Sequence, residues 1–410
     1  MVSNRLATSC LLLCFFSGDS WADDKDETFK LSVSYPETDS SVQQSLQDKS
    51  KYALNCIFDK MHRAYVIDAI PWKRAKRYLS TDFTAGAMTS MLHPELDGTA
   101  TLSAPLALEK WYWYFSSAIS AIQSKSKIDL QIGAIEHSNQ ATWLQAQGYT
   151  QLTLVSNSAQ LKKLIELGRI DAFIADQNVL TNLSNVDTEI GLQRRFLSYI
   201  PQGVYFSNQY LKRHPDFLSQ FNHYAYLCAP QVLALSAMEQ RVIHRLILMG
   251  VRKWISTPLV LESIRSQNQR HSKLKTDQIW ALDLQWRKEI KTAQPQLISV
   301  LLKHPLSIYL QEVERDSNGL FSEIFITDNL GLNVAMSKPT SDYWQGDETK
   351  FERTFNAQSD DLYIDSIRYD QSAKKFQSQV SLRIIDPATE QAIGMVTIGV
   401  DVEQALARGF

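Results

Sequence analysis

The 410-residue chain has almost no net charge, few cysteines, no long apolar run, and none of the compact motifs that announce common chemistries. A formal charge of −2 gives no electrostatic basis for binding nucleic acid or an anionic membrane surface. Beyond the amino terminus no stretch approaches the ~20 apolar residues that a membrane span needs. The most apolar helix candidate, 232–251, contains Glu239, Gln240, Arg241, His244 and Arg245, too polar a set to cross lipid. A glycine-rich phosphate loop, a zinc-spaced Cys/His cluster and a nucleophile elbow are all missing. The eight histidines are scattered with no i, i+4 pair. Catalysis is therefore not expected, and no cofactor or metal is implied. Charged residues at 21% and hydrophobic ones at 44% are ordinary for a soluble globular protein, and the length suits two or three domains.

What is present begins with an amino terminus that reads as a secretory signal. Arg5 supplies a positive region, 6–16 is a short apolar stretch, and Ser20-Trp21-Ala22 places small residues at the −3 and −1 positions of a cleavage site. An uncleaved anchor is the alternative, but the apolar run is short for a span. Leu13 before Cys14 argues against a lipoprotein. Residues 1–22 are thus expected to be removed, leaving a periplasmic protein. Cys10 and Cys14 go with them, so Cys56 and Cys228 remain as an even pair in an oxidising compartment. A disulfide is expected; two buried free thiols are the alternative.

From residue 28 to about 230, strand and helix patterns alternate. Strand-like segments at 29–34, 64–69, 130–135, 152–155 and 172–175 are interleaved with helix-like ones at 44–60, 72–79, 137–147 and 158–167. This predicts an α/β fold with mainly parallel sheets. A helix-like stretch at 106–123 precedes the resumption at Leu130, where a second lobe is expected to begin. From 236 to 302 the pattern is helical, with breaks expected at Thr257-Pro258 and at 267–272. From Glu323 onward it turns to β. In 376–384, Ser378, Val380, Leu382 and Ile384 share one face and Gln377, Gln379, Ser381 and Arg383 the other, the signature of a half-buried antiparallel strand.

Several segments occur in an order that resembles the type 2 periplasmic solute-binding proteins, near the polar amino-acid-binding group. They are Val33-Ser34-Tyr35-Pro36, Ile70-Pro71-Trp72-Lys73-Arg74-Ala75, Leu102-Ser103-Ala104-Pro105-Leu106, and Leu167-Gly168-Arg169-Ile170-Asp171-Ala172-Phe173-Ile174-Ala175-Asp176. The resemblance implies two lobes closing on a small solute. It places Tyr35, Trp72 and Ser103 from the first lobe and Ser138 and Asp176 from the second at the cleft. Tyr35 or Trp72 would stack on the solute, Ser138 would open a helix amino terminus that favours an anion, and Asp176 would pair with an amine. Each has a structural alternative: core packing for Trp72, a braced turn for Ser103, a plain N-cap for Ser138 and a strand-end turn for Asp176. One departure stands out. The arginine usual before the Ser-x-Pro element is absent, and 93–100 holds Glu95 and Asp97 instead, so a carboxylate clamp is in doubt.

The carboxyl-terminal part resembles a single Cache (PAS-like) sensor domain with long leading helices. The matching pieces are Ile324-Phe325-Ile326-Thr327-Asp328, 331–337, Asp342-Tyr343-Trp344-Gln345-Gly346-Asp347-Glu348, Tyr369-Asp370 and 394–401. The resemblance implies a second small-ligand pocket with Tyr343 and Trp344 as stacking surfaces and Asp342, Asp347 or Asp365 as acceptors; a Tyr-Trp pair that caps a sheet is the structural alternative. The expected architecture is therefore a signal peptide (1–22), a two-lobed type 2 solute-binding fold (23–235), and a helical segment with an α+β Cache-like domain (236–410). The expected function is a periplasmic sensor that binds an amino acid, a polyamine or another small polar metabolite and signals to a membrane-bound receptor. The alternative is the solute-binding component of an ABC-type uptake transporter.

Overall fold

The computed structural model describes residues 29–33, 41–81, 83–88, 96, 98–115, 128–136, 138–177, 192–292, 295–358, 361–370 and 375–409, with the backbone alone for 33 and 41–49. The expected signal peptide, Tyr35, Glu95 and Asp97 lie outside the described residues.

Among the described residues sixteen strands form three sheets. The first has the order β2-β1-β3-β10-β4, from β1 (Phe29–Val33), β2 (Tyr65–Ala69), β3 (Gly86–Met88), β4 (Ala100–Leu102) and β10 (Val204–Ser207). The second has the order β7-β6-β8-β5-β9, from β5 (Ala107–Phe115), β6 (Ile132–Ile135), β7 (Leu152–Val155), β8 (Ala172–Asp176) and β9 (Gln193–Gln202). In each sheet four strands run in one direction, three of them paired as parallel neighbours, and the strand fourth in order is antiparallel to both its neighbours. That fourth strand is the one through which the chain enters or leaves the other sheet. β5 arrives from the first sheet and β10 returns to it, so two lobes are joined by two crossing segments.

The crossing segments hold each other. Ser103 N donates to Val204 O (2.8 Å), Val204 N donates to Ser103 Oγ (3.0 Å), and Leu106 N donates to Gln202 O (2.8 Å). Gly203 lets them approach: a Cβ there would stand 2.8 Å from Ser103 Oγ.

The first lobe is built around Phe29, which lies against Phe58, Phe206 and Phe217 at centroid distances of 5.1, 5.9 and 5.2 Å. Its helices Ser41–Lys60 and Phe217–Cys228 are tied by the expected disulfide, Cys56–Cys228, with a Cα–Cα distance of 5.9 Å.

After residue 236 the chain forms an α+β unit with long leading helices. Ala237–Val251 starts with a capping box, Ser236 Oγ and Glu239 exchanging hydrogen bonds with each other's backbone. Pro258–His271 starts with proline at its first position. Thr276–Glu289, Leu297–Leu302 and Pro305–Asp316 follow. They lead into an antiparallel sheet of order β12-β11-β16-β15-β13, with β14 also on β15. Its strands are β11 (Phe321–Asp328), β12 (Asn333–Met336), β13 (Tyr363–Ile364), β14 (Arg368–Asp370), β15 (Lys375–Asp386) and β16 (Gln391–Asp401). β15 alternates as expected, with Ser378, Val380, Leu382 and Ile384 inward. A last helix, Val402–Gly409, packs on β9, β15 and the Ala237–Val251 helix.

Three expectations are corrected. The described part of 106–123 is a strand, β5, not a helix. β5 is central, between β8 and β9, and buried on both faces, so Trp111, Tyr112, Trp113, Tyr114 and Phe115 show no polar alternation. The second sheet consequently starts at Ala107 rather than Leu130. At 267–272 the helix continues to His271, because Gln267 turns inward and donates to Asp328 Oδ2, Leu332 O and Asn333 O.

The second lobe and the α+β unit share one apolar core. Tyr112, Tyr114, Phe173, Leu161 and Ile165 from the lobe are continuous with Ile243, Ile247, Val260, Leu306, Ile398 and Val400 from the unit. A polar centre is embedded in it. Lys110 Nζ on β5 pairs with Glu239 Oε2 at 2.7 Å, with the two side chains 7% and 0% exposed, and also donates to Ala234 O (3.0 Å). Glu239 Oε1 accepts from Tyr199 Oη at 2.7 Å and Tyr112 Oη at 3.4 Å, and Oε2 from Ser236 N at 2.6 Å. Burial alone would raise the Glu239 pKa; the Lys110 charge and these hydrogen bonds outweigh it and lower the pKa below the ordinary carboxylate range.

Two outcomes follow for stability. Replacing both Cys56 and Cys228 by serine should cost up to about 5 kcal/mol, because the bridge closes a loop of sequence separation 172; urea midpoints of oxidised wild type and the double variant measure it. Glu239→Ala should cost about 3–5 kcal/mol by stranding Lys110, whereas Lys110→Met with Glu239→Leu should recover most of that loss. Equal losses in the single and double variants would contradict the pairing.

Candidate functional site

The second lobe places its polar side chains where the parallel strands end. β6 runs into the helix Asn139–Ala146, whose N-cap is Ser138; Ser138 Oγ accepts from Ala141 N at 3.1 Å. β8 ends at Asp176, opposite Trp111 of β5. Asp176 Oδ2 accepts from Lys110 N at 2.7 Å. Ligands of open α/β sheets collect at such strand ends and helix starts.

β5 alternates two kinds of face here. Lys110, Tyr112 and Tyr114 point to the core shared with the α+β unit, whereas Trp111 and Phe115 pack with Leu144 and Ile174 on the opposite side. Glu109 belongs to this second side. Its carboxylate, on a residue 6% exposed, accepts from Trp111 Nε1 and Gln202 Nε2, each at 2.6 Å, and from Asn139 Nδ2 and Gln140 Nε2, each at 3.4 Å. Burial pushes its pKa up to about 7, helped by the Asp176 charge and opposed by the hydrogen bonds.

Of the other residues expected at a cleft, Trp72 belongs to the first lobe and Ser103 to the crossing segments. Trp72 starts the helix Trp72–Ser80 and packs partly buried against the cluster of Ala75, Leu79 and Ala87. Ser103 is fully buried in the crossing segments, its hydroxyl accepting from Val204 N and donating to Ala104 O (2.8 Å).

The α+β unit has a polar cavity of about 290 Å³. It is lined by Glu323, Arg368, Gln377 and Gln379 of the sheet and by Glu348 and Lys350, among others. Asp365 also lines it, and its Oδ1 accepts from Ser366 N at 2.8 Å. Asp342, Tyr343, Trp344 and Asp347 do not line this cavity. Tyr343 is buried and stacks on Trp286 at 5.4 Å. Trp344 donates to Leu330 O at 2.8 Å and lies 6.0 Å from Trp280. Asp342 pairs with Arg287 at 3.4 Å and accepts from Gln345. Asp347 is exposed. Sequence reasoning passed over Glu109, Asn139, Gln140 and Gln202 in the lobe, and Glu323 and Lys350 at the cavity. The signal available for Glu109 was two adjacent charges, Glu109-Lys110, inside an otherwise apolar and aromatic run.

No family model matches the chain, and no curated protein matches it. Among solved structures, it is similar to the L-cystine solute receptor of Neisseria gonorrhoeae, at 17% identity over 50% of this chain and 89% of that one, with a TM-score of 0.34. It is similar to a double-mutant VFT2 domain of BvgS from Bordetella pertussis, at 11% identity over 50% and 92% of the two chains, TM-score 0.33. It is also similar to the GluR0 ligand-binding core of Nostoc punctiforme in complex with L-glutamate, at 11% identity over 48% and 92%, TM-score 0.32. The strand order and the paired crossings define the two lobes.

Among the described residues no helix is long and apolar enough to cross a membrane.

The raised Glu109 pKa has a definite consequence for pH. Between the unfolded value of about 4.3 and the folded value of about 7, the folded state binds more protons than the unfolded one. Its contribution to stability is full below that window and falls as pH rises through it, by up to about 3 kcal/mol. Glu109→Gln should flatten this part of the profile, as measured by urea unfolding at pH 5, 6.5 and 8. A wild-type profile that does not fall relative to the variant would refute the assignment.

Proposed function

We propose that this chain is an extracytoplasmic small-molecule-binding sensor protein. The two-lobed region (23–235) takes a small polar solute at the second-lobe strand ends, with Ser138 and Asp176 as contacts and Trp72 and Tyr35 supplied by the first lobe. The region 236–410 acts as a Cache-like unit that passes the bound state to a membrane-bound partner. Secretion through residues 1–22 fits the disulfide between Cys56 and Cys228.

The observation that carries this reading is the unequal attachment of the two lobes. The second lobe is fused to the α+β unit by a continuous core and a buried ion pair. The first lobe has cores of its own and meets the rest through the crossing segments, a few hydrogen bonds, and Tyr226 and Val232, which pack against both its core and the shared one. A solute that closes the lobes would therefore move the first lobe against a rigid remainder. Two contacts from Tyr226 of the first lobe and from the segment just after it reach residues next in sequence to the cavity lining. Ile367 N donates to Leu233 O at 2.8 Å, and Tyr226 Oη donates to Tyr369 O at 3.4 Å, beside the cavity-lining Asp365 and Arg368. Solute capture is thereby tied to the shape of the α+β unit, to the extent that the solute prefers the closed form. A plain uptake component has no use for this connection.

The test is thermal unfolding of the mature protein with a panel of amino acids, polyamines and other small metabolites, followed by capture of membrane proteins with and without the best solute. A binder present at a hundredfold its Kd should add about 2.7 kcal/mol, and Asp176→Ala should abolish the gain. If no solute stabilises the protein and no membrane protein is recovered, the reading fails. Recovery of a transport permease alone would favour uptake instead.

A further inference from the structure

Four side-chain N–H donors from three places in the chain converge on one carboxylate. Trp111 comes from β5, Asn139 and Gln140 from the first turn of the helix after β6, and Gln202 from the end of β9. Gln202 Nε2 (2.6 Å) and Asn139 Nδ2 (3.4 Å) donate to Glu109 Oε1; Trp111 Nε1 (2.6 Å) and Gln140 Nε2 (3.4 Å) donate to Oε2. An ionised carboxylate offers about four lone-pair sites, and here donors reach both oxygens in pairs. The donors belong to elements that meet where β5 and β9 leave the crossing segments, next to the start of a helix. Such a ring, assembled from residues up to 93 positions from Glu109, is complementary to a carboxylate. The chain fills it with its own.

We propose that Glu109 is the specificity-determining residue of the cleft. Its carboxylate occupies the second lobe's carboxylate receptor, so the cleft takes an amine that brings no carboxylate of its own to this lobe. This rests on the reading of the cleft as a solute site. A solute carboxylate arriving here would find these donors already engaged. It would also be repelled by Glu109 and by Asp176, which is near enough to raise the proton affinity of Glu109. An amine meets neither obstacle, and Asp176 favours it.

The first arm of the test is chemical rescue at pH 8. Glu109→Ala should melt several degrees below wild type, and sodium formate should restore most of that loss while leaving wild type unchanged and doing more than equal sodium chloride. Rescue no greater than that by chloride overturns the receptor assignment. If Glu109→Ala does not fold, Glu109→Gln replaces it with a spectroscopic reading, the indole N–H resonance of Trp111, assigned through Trp111→Phe. That resonance should move upfield in the Gln variant and lose its pH dependence; an identical resonance in wild type and variant overturns the assignment. The second arm compares lysine with cadaverine, which differ by one carboxylate, in calorimetric titrations. Wild type should bind cadaverine at least about tenfold more tightly, and Glu109→Ala should narrow or reverse the ratio. Lysine binding wild type as tightly as cadaverine overturns the proposed specificity. Formate rescue with neither solute bound supports the receptor and counts against the cleft as an amine site, so the two failures are distinguishable.

Discussion

One buried ammonium holds the two halves of this protein in register. Lys110 Nζ leaves the second lobe and ends on Glu239 Oε2 and Ala234 O, at the start of the first helix of the α+β unit. Taking both charges out of water is costly, and the pair is tolerated because its remaining valences are satisfied by Tyr199, Tyr112 and Ser236. Such a pair adds little net stability over a well-packed apolar contact. It does penalise every arrangement that separates the partners, since either charge left alone in that core is strongly unfavourable. The same carboxylate completes the capping box of Ala237–Val251, so the start of that helix is fixed relative to β5 as well as to its own backbone. The terminal helix reinforces the joint, with Glu403 accepting from Ser198 Oγ and Tyr199 N, each at 2.8 Å.

β5 is the strand on which both polar centres depend. Successive residues point to opposite faces, so Glu109 and Lys110, adjacent in sequence, serve two environments that never meet. One faces the helix start and the crossing segments. The other faces the α+β unit. A one-residue slip of β5 would exchange them, leaving a carboxylate in the shared core and an ammonium among amide donors. The pairing of β5 with β8 and β9 on its two sides excludes that slip.

The βα alternation of the second lobe was legible because its helix starts carry side-chain caps, Asn157 before Ser158–Glu166 and Ser138 before Asn139–Ala146. β5 was not, because a strand buried on both faces loses its period. β9 was missed for the opposite reason: as an edge strand it carries Arg194, Arg195 and Pro201 and reads as loop. Within the candidate site, Ser138 and Asp176 announce themselves by position at the ends of readable strands. Glu109 does not, since the donors that define it are remote in sequence and come together only when β5, β9 and a helix start are assembled. The loop holding Tyr343 and Trp344 shows the converse. Its aromatic and acidic residues are conspicuous in the sequence, and in the fold Tyr343 packs on Trp286 while Asp342 meets Arg287.

The first lobe is discontinuous in the chain. β1 to β4 come before the second lobe; β10 and the helix Phe217–Cys228 come after it. A protein threaded outward from its amino terminus would therefore expose an unfinished first sheet, with β3 and β4 lacking the strand that belongs between them, until residues beyond 207 had emerged. Cys56 would wait still longer, for Cys228. The second sheet has all its strands by Gln202, but the face carrying Lys110, Tyr112 and Tyr114 is covered only once the α+β unit follows. Emergence from the amino terminus thus imposes an order of assembly, and until Cys228 appears Cys56 is a thiol without its partner, open to capture by the wrong one.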